Sequence, residues 1–237
     1  MKGFRKEAAP ERADAFAAEA DGLEALRPHI CVPKVLDLGI KGGKAFILLE
    51  HLDLRGGGDC AALGRMLAAL HRQTGPRFGW ARDNYIGLAP QQNGWCDDWA
   101  EFWLERRMRP QFDRAARKGF KLEMPDLALL DGHHPQPSLL HGDLWSGNAG
   151  FTAEGPVVFD PAVYYGDRET DLAMTELFGG FPAEFYRAYN EAFPLAAGYE
   201  KRKHLYNLYH LLNHLNLFGG GYLGQVKATL RLLAGGL

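Results

Sequence analysis

The stretch His141-Gly-Asp-Leu-Trp-Ser-Gly-Asn148 decides how this chain is read. It sets a histidine, a carboxylate and a carboxamide close together, with glycines at 142 and 147. A second aspartate closes the β-like run Pro156-Val-Val-Phe-Asp160. Such a set suits a hydroxyl nucleophile and a magnesium ion. One carboxylate orients the hydroxyl and takes its proton, and hard oxygen donors hold the metal on nucleotide phosphates. Protein kinases arrange this as H-R-D-x-x-x-x-N followed by a metal-binding Asp. His141, Asp143 and Asn148 stand at the same offsets, with Gly142 in place of Arg, and Asp160 follows at a suitable distance. Asp, Asn and Gly also favour turns, but a turn does not require all four of these positions.

Beyond that stretch, the 237 residues suit one larger domain or two small lobes. Apolar residues make up 46% and charged residues 24%, ordinary for a globular chain. The net charge of −2 offers no basic excess for phosphates along a duplex, so no nucleic-acid partner is expected. Apolar runs such as Ala45-Phe-Ile-Leu-Leu49 are too short to span a bilayer, and Met1-Lys-Gly-Phe-Arg-Lys6 precedes no apolar signal core. A cytoplasmic location with no membrane partner follows as the expectation. Cys31, Cys60 and Cys96 have no metal-ligand spacing and read as reduced thiols.

Upstream of the stretch, apolar Phe16, Ala20, Leu23 and Leu26 predict a helix over 11–27, ended by Pro28. Glu19 lies at the edge of that stripe and, on pattern alone, reads as a solvated acid. Residues 32–39 and 44–51 predict an antiparallel hairpin turning at Lys41-Gly-Gly43. The Gly-rich run at 52–58 reads as a linker, because no strand-to-helix signature makes it a phosphate loop. Helices are expected over 60–73, 97–118 and 125–132, with an irregular segment at 74–96. On the helix over 97–118, Trp99, Phe102 and Trp103 read as core, and Arg106, Arg107 and Arg109 as a phosphate site or an exposed basic end. Downstream, helices are expected through Leu177 and over 182–193, 199–218 and 226–233. His210 and His214 share a helix face but lack an HExxH pattern, so they read as core or groove histidines. His133 and His134 read as exposed. The fold class is α+β: a small β-containing part over 1–54, then a mainly helical part over 55–237.

The core stretch, together with Phe159-Asp-Pro-Ala-Val-Tyr-Tyr-Gly-Asp-Arg-Glu-Thr-Asp-Leu-Ala-Met174, closely resembles the fructosamine/ketosamine-3-kinase family. That family shares a protein-kinase-like bilobal fold with aminoglycoside phosphotransferases and choline kinases. Asp83-Asn-Tyr-Ile-Gly87, Trp99 and Glu105-Arg-Arg107 extend the resemblance over nearly the whole chain. It implies an ATP- and magnesium-dependent kinase acting on a sugar hydroxyl, O3, of a small-molecule or protein-linked ketosamine. Asp143 would be the base, and Asn148 and Asp160 the magnesium ligands. Glu50, His51 and Leu52 would form the adenine hinge, and Glu19 would pair with the nucleotide-binding lysine. His141 and Asp171 would brace the catalytic loop. Asp83 and Asn84 fall to the substrate side, as does Trp145, a flat platform for the sugar by its place beside Asp143. The family carries further strands and a Gly-rich phosphate-covering loop before the Glu19 helix, whereas this chain begins with Met1-Lys2. By position Lys2 would be the phosphate lysine, with its strand ending where the chain starts. That gives a truncated N-terminal lobe with open sheet edges, and a monomer or homodimer. The alternatives are an aminoglycoside- or choline-type kinase and a non-catalytic binding module.

Overall fold

Residues Gly3–Ala8 alternate in a way that sends Phe4, Lys6 and Ala8 to one side of a strand, β1. In the computed structural model, which describes residues 3–235, this strand is the first element. The expectation that the strand ends where the chain starts is therefore corrected. A 3₁₀ turn at Pro10–Arg12 leads into α1 (Ala13–Leu26). Strands β2 (Val35–Lys41) and β3 (Lys44–Glu50) follow. Strand β2 starts later than the pattern suggested because Pro33 has no N–H for the ladder. The sheet order is β1-β3-β2, all antiparallel, with Ile47 of β3 opposite Lys6 on one side and Leu38 on the other. Both β1 and β2 are edge strands. The buried side of α1, at Ala20, Leu23 and Leu26, packs in one cluster with Ile47 and Leu49.

After a connector over residues 51–59, Asp59 caps α2 (Cys60–His71) by accepting from the Ala62 N–H at 2.8 Å. The segment over 74–96 is not wholly irregular: β4 (Asn84–Ile86) and β5 (Ala89–Gln91) form a hairpin turning at Gly87-Leu88. The helix expected over 97–118 is α3 (Trp99–Phe102), a π turn at Trp103–Met108, and α4 (Arg109–Arg117). Pro110 explains the widened turn, since its ring would clash with the carbonyl four residues back and it supplies no N–H. Arg107 is thereby turned fully into the core, not onto a basic surface. Its guanidinium lies 4.1 Å from the Tyr164 ring centroid, and its Nη2 donates to Asn93 Oδ1 at 2.8 Å. Trp99, Phe102 and Trp103 are core, as expected. In place of a helix over 125–132 there is only a 3₁₀ turn at Ala128–Leu130, bounded by Gly132 at φ 70°.

Two short hairpin-like pairs then frame the loops that matter. Strand β6 (Ser138–Leu140) pairs with β9 (Tyr164–Gly166), and β7 (Ala149–Phe151) pairs with β8 (Pro156–Val158). The stretch 141–148 is thus the link from β6 to β7, and 159–163 is the link from β8 to β9, which sets the two loops side by side. Helices α5 (Glu169–Leu177), α6 (Ala183–Ala192), α7 (Tyr199–Phe218) and α8 (Leu223–Ala234) complete the large, mainly helical lobe. Helices α2 and α6 meet closely at Gly64, where a Cβ would stand 2.3 Å from the Phe185 carbonyl oxygen. Among the described residues no helix is long and apolar enough to cross a membrane.

Candidate active site

The two loops are locked by backbone and carboxylate contacts. Ala162 N–H donates to the His141 carbonyl at 2.8 Å, and Phe159 N–H to the Asn148 carbonyl at 3.1 Å. Gly142 has φ 82°, and a Cβ there would lie 2.0 Å from the Ala162 carbonyl oxygen, so only glycine fits this crossing. Asp171, buried in the first turn of α5, accepts from the His141 and Gly142 N–H groups at 2.8 Å each. His71 of α2 reaches the same carboxylate through Nε2 at 3.1 Å and the Tyr189 hydroxyl through Nδ1 at 2.8 Å. Burial alone would raise the Asp171 carboxyl, but these donors outweigh it and hold the group below its ordinary value. His141 Nε2–H donates to the Phe159 carbonyl at 3.0 Å, and burial keeps this imidazole neutral by lowering its pKa.

Asp143 sits half-buried at the floor of a cavity of about 690 Å³. Burial first, then the Asp160 and Asp171 carboxylates, push its carboxyl up to about 7. A general base poised there takes a proton most effectively near neutral pH. Asn148 Nδ2 donates to the Asp143 carbonyl at 2.8 Å, which leaves Oδ1 as its free ligand atom. Asp160 has φ 58°, the one positive value among described non-glycine residues, and follows β8 by two positions, so it does not itself end the strand. That strained backbone aims its half-exposed carboxylate into the cavity beside Asn148 and Asp143. Asn148 Oδ1 and the Asp160 oxygens are hard donors of the kind magnesium takes, so the residues present fit that ion.

The lysine expected at Lys2 lies outside the described residues. The cation that meets Glu19 is Lys6, whose Nζ donates to Glu19 Oε1 at 2.7 Å and also contacts Asp160 Oδ1. The reason is the strand period: the α1-facing positions of β1 are 4, 6 and 8. Burial would lower the Lys6 pKa, but the Glu19 and Asp160 carboxylates more than offset it and raise it. Glu19 is therefore not a solvated surface acid. Trp145 lies at the cavity wall, 38% exposed. Asn84 also borders it, with its side chain occupied: Nδ2 donates to the Val163 carbonyl at 2.7 Å and Oδ1 accepts from Gln91 at 2.9 Å. Asp83 is not brought to the cavity; its carboxylate accepts from the Asn93 N–H at 2.8 Å. Glu50 ends β3 and His51 and Leu52 open the connector, all three outside the cavity lining. Glu50 N–H donates to the Lys34 carbonyl at 2.8 Å.

The far wall of the cavity is aromatic and apolar. Phe178, His214, Phe218 and Tyr222 contact one another around His214, with centroids 4.6 Å apart for Phe178–His214 and 5.1 Å for His214–Tyr222. His214 Nδ1–H donates to the His210 carbonyl at 2.8 Å, and burial lowers its pKa; His210 is core, with burial pressing it down to about 3, and His214 borders the cavity, so the pair are core and groove histidines as expected. His133 is not exposed: its Nε2 lies 2.7 Å from Asp167 Oδ2, an approach between residues 34 apart that no local pattern reports. The sequence pattern does not single out Lys6 or His71. The available signal for Lys6 was the alternation of Phe4, Lys6 and Ala8, and for His71 its place as the last residue of a well-marked helix.

Helix α1 is fastened to the large lobe. Trp80 Nε1 donates to Asp21 at 2.7 Å, Arg82 bonds Asp14 at 2.5 Å, and the Tyr85 hydroxyl donates to Asp14 at 3.2 Å. A Cβ on Gly22 would stand 3.2 Å from Pro161, next to Asp160.

A family model described as fructosamine kinase matches residues 2–234. A protein of Synechocystis sp. designated a probable ketoamine kinase is 48% identical over 228 residues, covering 91% of this chain and 77% of that one. A Haemophilus somnus protein assigned as a fructosamine-3-kinase superposes with a TM-score of 0.91 at 34% identity, covering 98% of this chain and 83% of its own. An aminoglycoside phosphotransferase of Streptomyces rimosus, in complex with ADP and streptomycin, gives 0.54 at 16% identity over 92% and 87% of the two chains, a likeness of fold alone.

Proposed function

We propose, from the premise that this chain belongs to the fructosamine kinase family, that it transfers the γ-phosphoryl group of ATP to O3 of a ketosamine. Membership makes it a phosphotransferase with an alcohol group as acceptor, on a protein-kinase-like bilobal fold. The observation that carries the finer reading is the convergence of Asp143, Asn148, Asp160, Lys6 and Glu19 on one cavity.

In this reading Asp143 orients the sugar hydroxyl and accepts its proton as the O–P bond forms. The β–γ bridging bond breaks, and ADP leaves with the electron pair. Magnesium, when bound by Asn148 Oδ1 and the Asp160 carboxylate, supplies charge compensation for the phosphates. Lys6, kept cationic by Glu19, neutralises phosphate charge on the nucleotide side. Trp145 offers a flat face to the sugar. Asp171 and His71 hold the loop so that these groups need not reorganise, and catalysis is positioning and electrostatics. The small lobe over 1–54 supplies the nucleotide-side groups Lys6 and Glu19, with Glu50 to Leu52 as the adenine hinge beyond the cavity lining, and the lobe over 55–237 supplies Asp143 and Trp145 to the acceptor.

The test is incubation with ATP, magnesium and a panel of glycated amines, following sugar phosphate by mass. Asp143→Asn is expected to lower kcat by about 10²–10⁴-fold with the melting temperature little changed. Full turnover by that variant would remove Asp143 as the base.

A further inference from the structure

The reaction above accounts for the sugar but not for the group carried on its amine. The cavity continues past Asp143 to a mouth formed by the turn of the β4–β5 hairpin and the end of α7. Leu88 and Phe218 line it, and each is 64% exposed, the most exposed large apolar side chains among the described residues. A Cβ on Gly87 would lie 3.9 Å from Leu217 Cδ1, so the hairpin turn and α7 stand within side-chain contact of each other. Exposed apolar surface gathered at the mouth of a cavity marks a binding surface more than scattered residues do.

Arg12 lines the same mouth. Its Nη1 donates to the Leu88 carbonyl at 3.2 Å, and its guanidinium stands 5.1 Å from the Tyr85 ring centroid. No carboxylate pairs with it among the described residues. The cavity's carboxylates are engaged elsewhere: Glu19 and Asp160 with Lys6, Glu7 with Arg5 and Lys44. Asp143 stays with the reacting hydroxyl. A half-buried guanidinium with spare donors beside an apolar saddle is matched to an anion that carries an apolar neighbour.

We infer that this mouth binds the amine-borne part of the ketosamine, with Arg12 holding a carboxylate and Leu88 and Phe218 packing an apolar side chain. The favoured acceptor is then the adduct of a free apolar α-amino acid, and this rests on the kinase reading above. An aminoglycoside, which presents cations, meets the wrong sign at Arg12.

A matched set of acceptors separates the parts: the fructose adducts of leucine, of isopentylamine (the same skeleton without the carboxylate) and of glycine (the carboxylate without the side chain). With magnesium and ATP, the leucine adduct is expected to exceed each of the others in kcat/KM by about tenfold, through KM. In Arg12→Gln the leucine-to-isopentylamine ratio is expected to collapse toward one. In Phe218→Ser the leucine-to-glycine ratio should collapse instead. Both side chains are exposed or half-exposed, and a thermal melt confirms that each variant folds. Turnover of all three adducts at equal kcat/KM, or ratios that survive both substitutions, overturns this inference and leaves the kinase reading standing. Turnover of none by the unaltered chain overturns both.

Discussion

At Gly142 the whole site depends on one missing methyl group. A side chain there would meet the Ala162 carbonyl and would also have to adopt φ 82°. Gly142→Ala should destabilise the protein by about 3 kcal/mol, the sum of a left-handed backbone and an overpacked contact, and should lower kcat by parting the loops. A thermal melt and an activity assay at a permissive temperature check both. Lys6 allows a sharper comparison. Lys6→Met should weaken nucleotide affinity by about tenfold or more, the worth of a charge-assisted contact, and by more than Lys2→Met does. The reverse order in a nucleotide titration would return the role to Lys2. The offsets of Asp143, Asn148 and Asp160 could be read from the chain because they are local. The Lys6–Glu19 pair could not, since it depends on which way a strand of alternating charges faces.

Helix α5 is the element that turns fold into site, through Asp171. Its carboxyl is held below the ordinary value in the folded protein, so folding stability from this group is fully present above about pH 4, the unfolded value. It is lost as pH falls through the lower, folded value. Asp171→Asn should flatten that acid limb in a denaturant series across pH and cost about 3 kcal/mol near neutrality, where the two N–H groups and His71 lose a charged partner. An unchanged acid limb would mean that Asp171 is not the group responsible. Elements differed in how plainly the sequence announced them. Helix α7 runs over Tyr199–Phe218, the span its apolar spacing predicts, because twenty residues carry many repeats of the period. The β4–β5 strands are three residues each, one containing Pro90, and too short to show a period. Strand β1 was hidden because only partial burial marks its inner face, and the turn at 128–130 because Asp126 and Gly132 stop a helix that its apolar residues begin.

Across the molecule, the cavity is built from both lobes, so its ligands should stabilise the fold as a unit. Magnesium with a non-hydrolysable ATP analogue at a hundredfold over Kd should add about 2.7 kcal/mol, or about 5–10 °C in Tm for a chain of this size. Withholding magnesium should remove most of the gain, and Asp160→Ala should remove the magnesium-dependent part. A scan with and without the metal decides this; an equal rise in both would argue against Asn148 and Asp160 as ligands. The bilobal plan was legible from the order of strand and helix patterns. The cavity's apolar mouth was not, because Leu88 and Phe218 lie 130 residues apart in the chain and come to one cavity only through the packing of the hairpin beside α7.

The fastenings of Trp80, Arg82 and Tyr85 to α1 bear on control. In hinge motion a segment travels with whatever holds it, and here α1 is held by the large lobe while the three-stranded sheet rides on the connector after Glu50. Glu19 is then steadied from the large lobe as well as by the packing of Ala20, Leu23 and Leu26 on Ile47 and Leu49 of the sheet. Amide exchange should show α1 opening with the large lobe's helices and more slowly than β1 or β2. Held from both lobes, the Lys6–Glu19 pair is set in place by the fold before any nucleotide arrives.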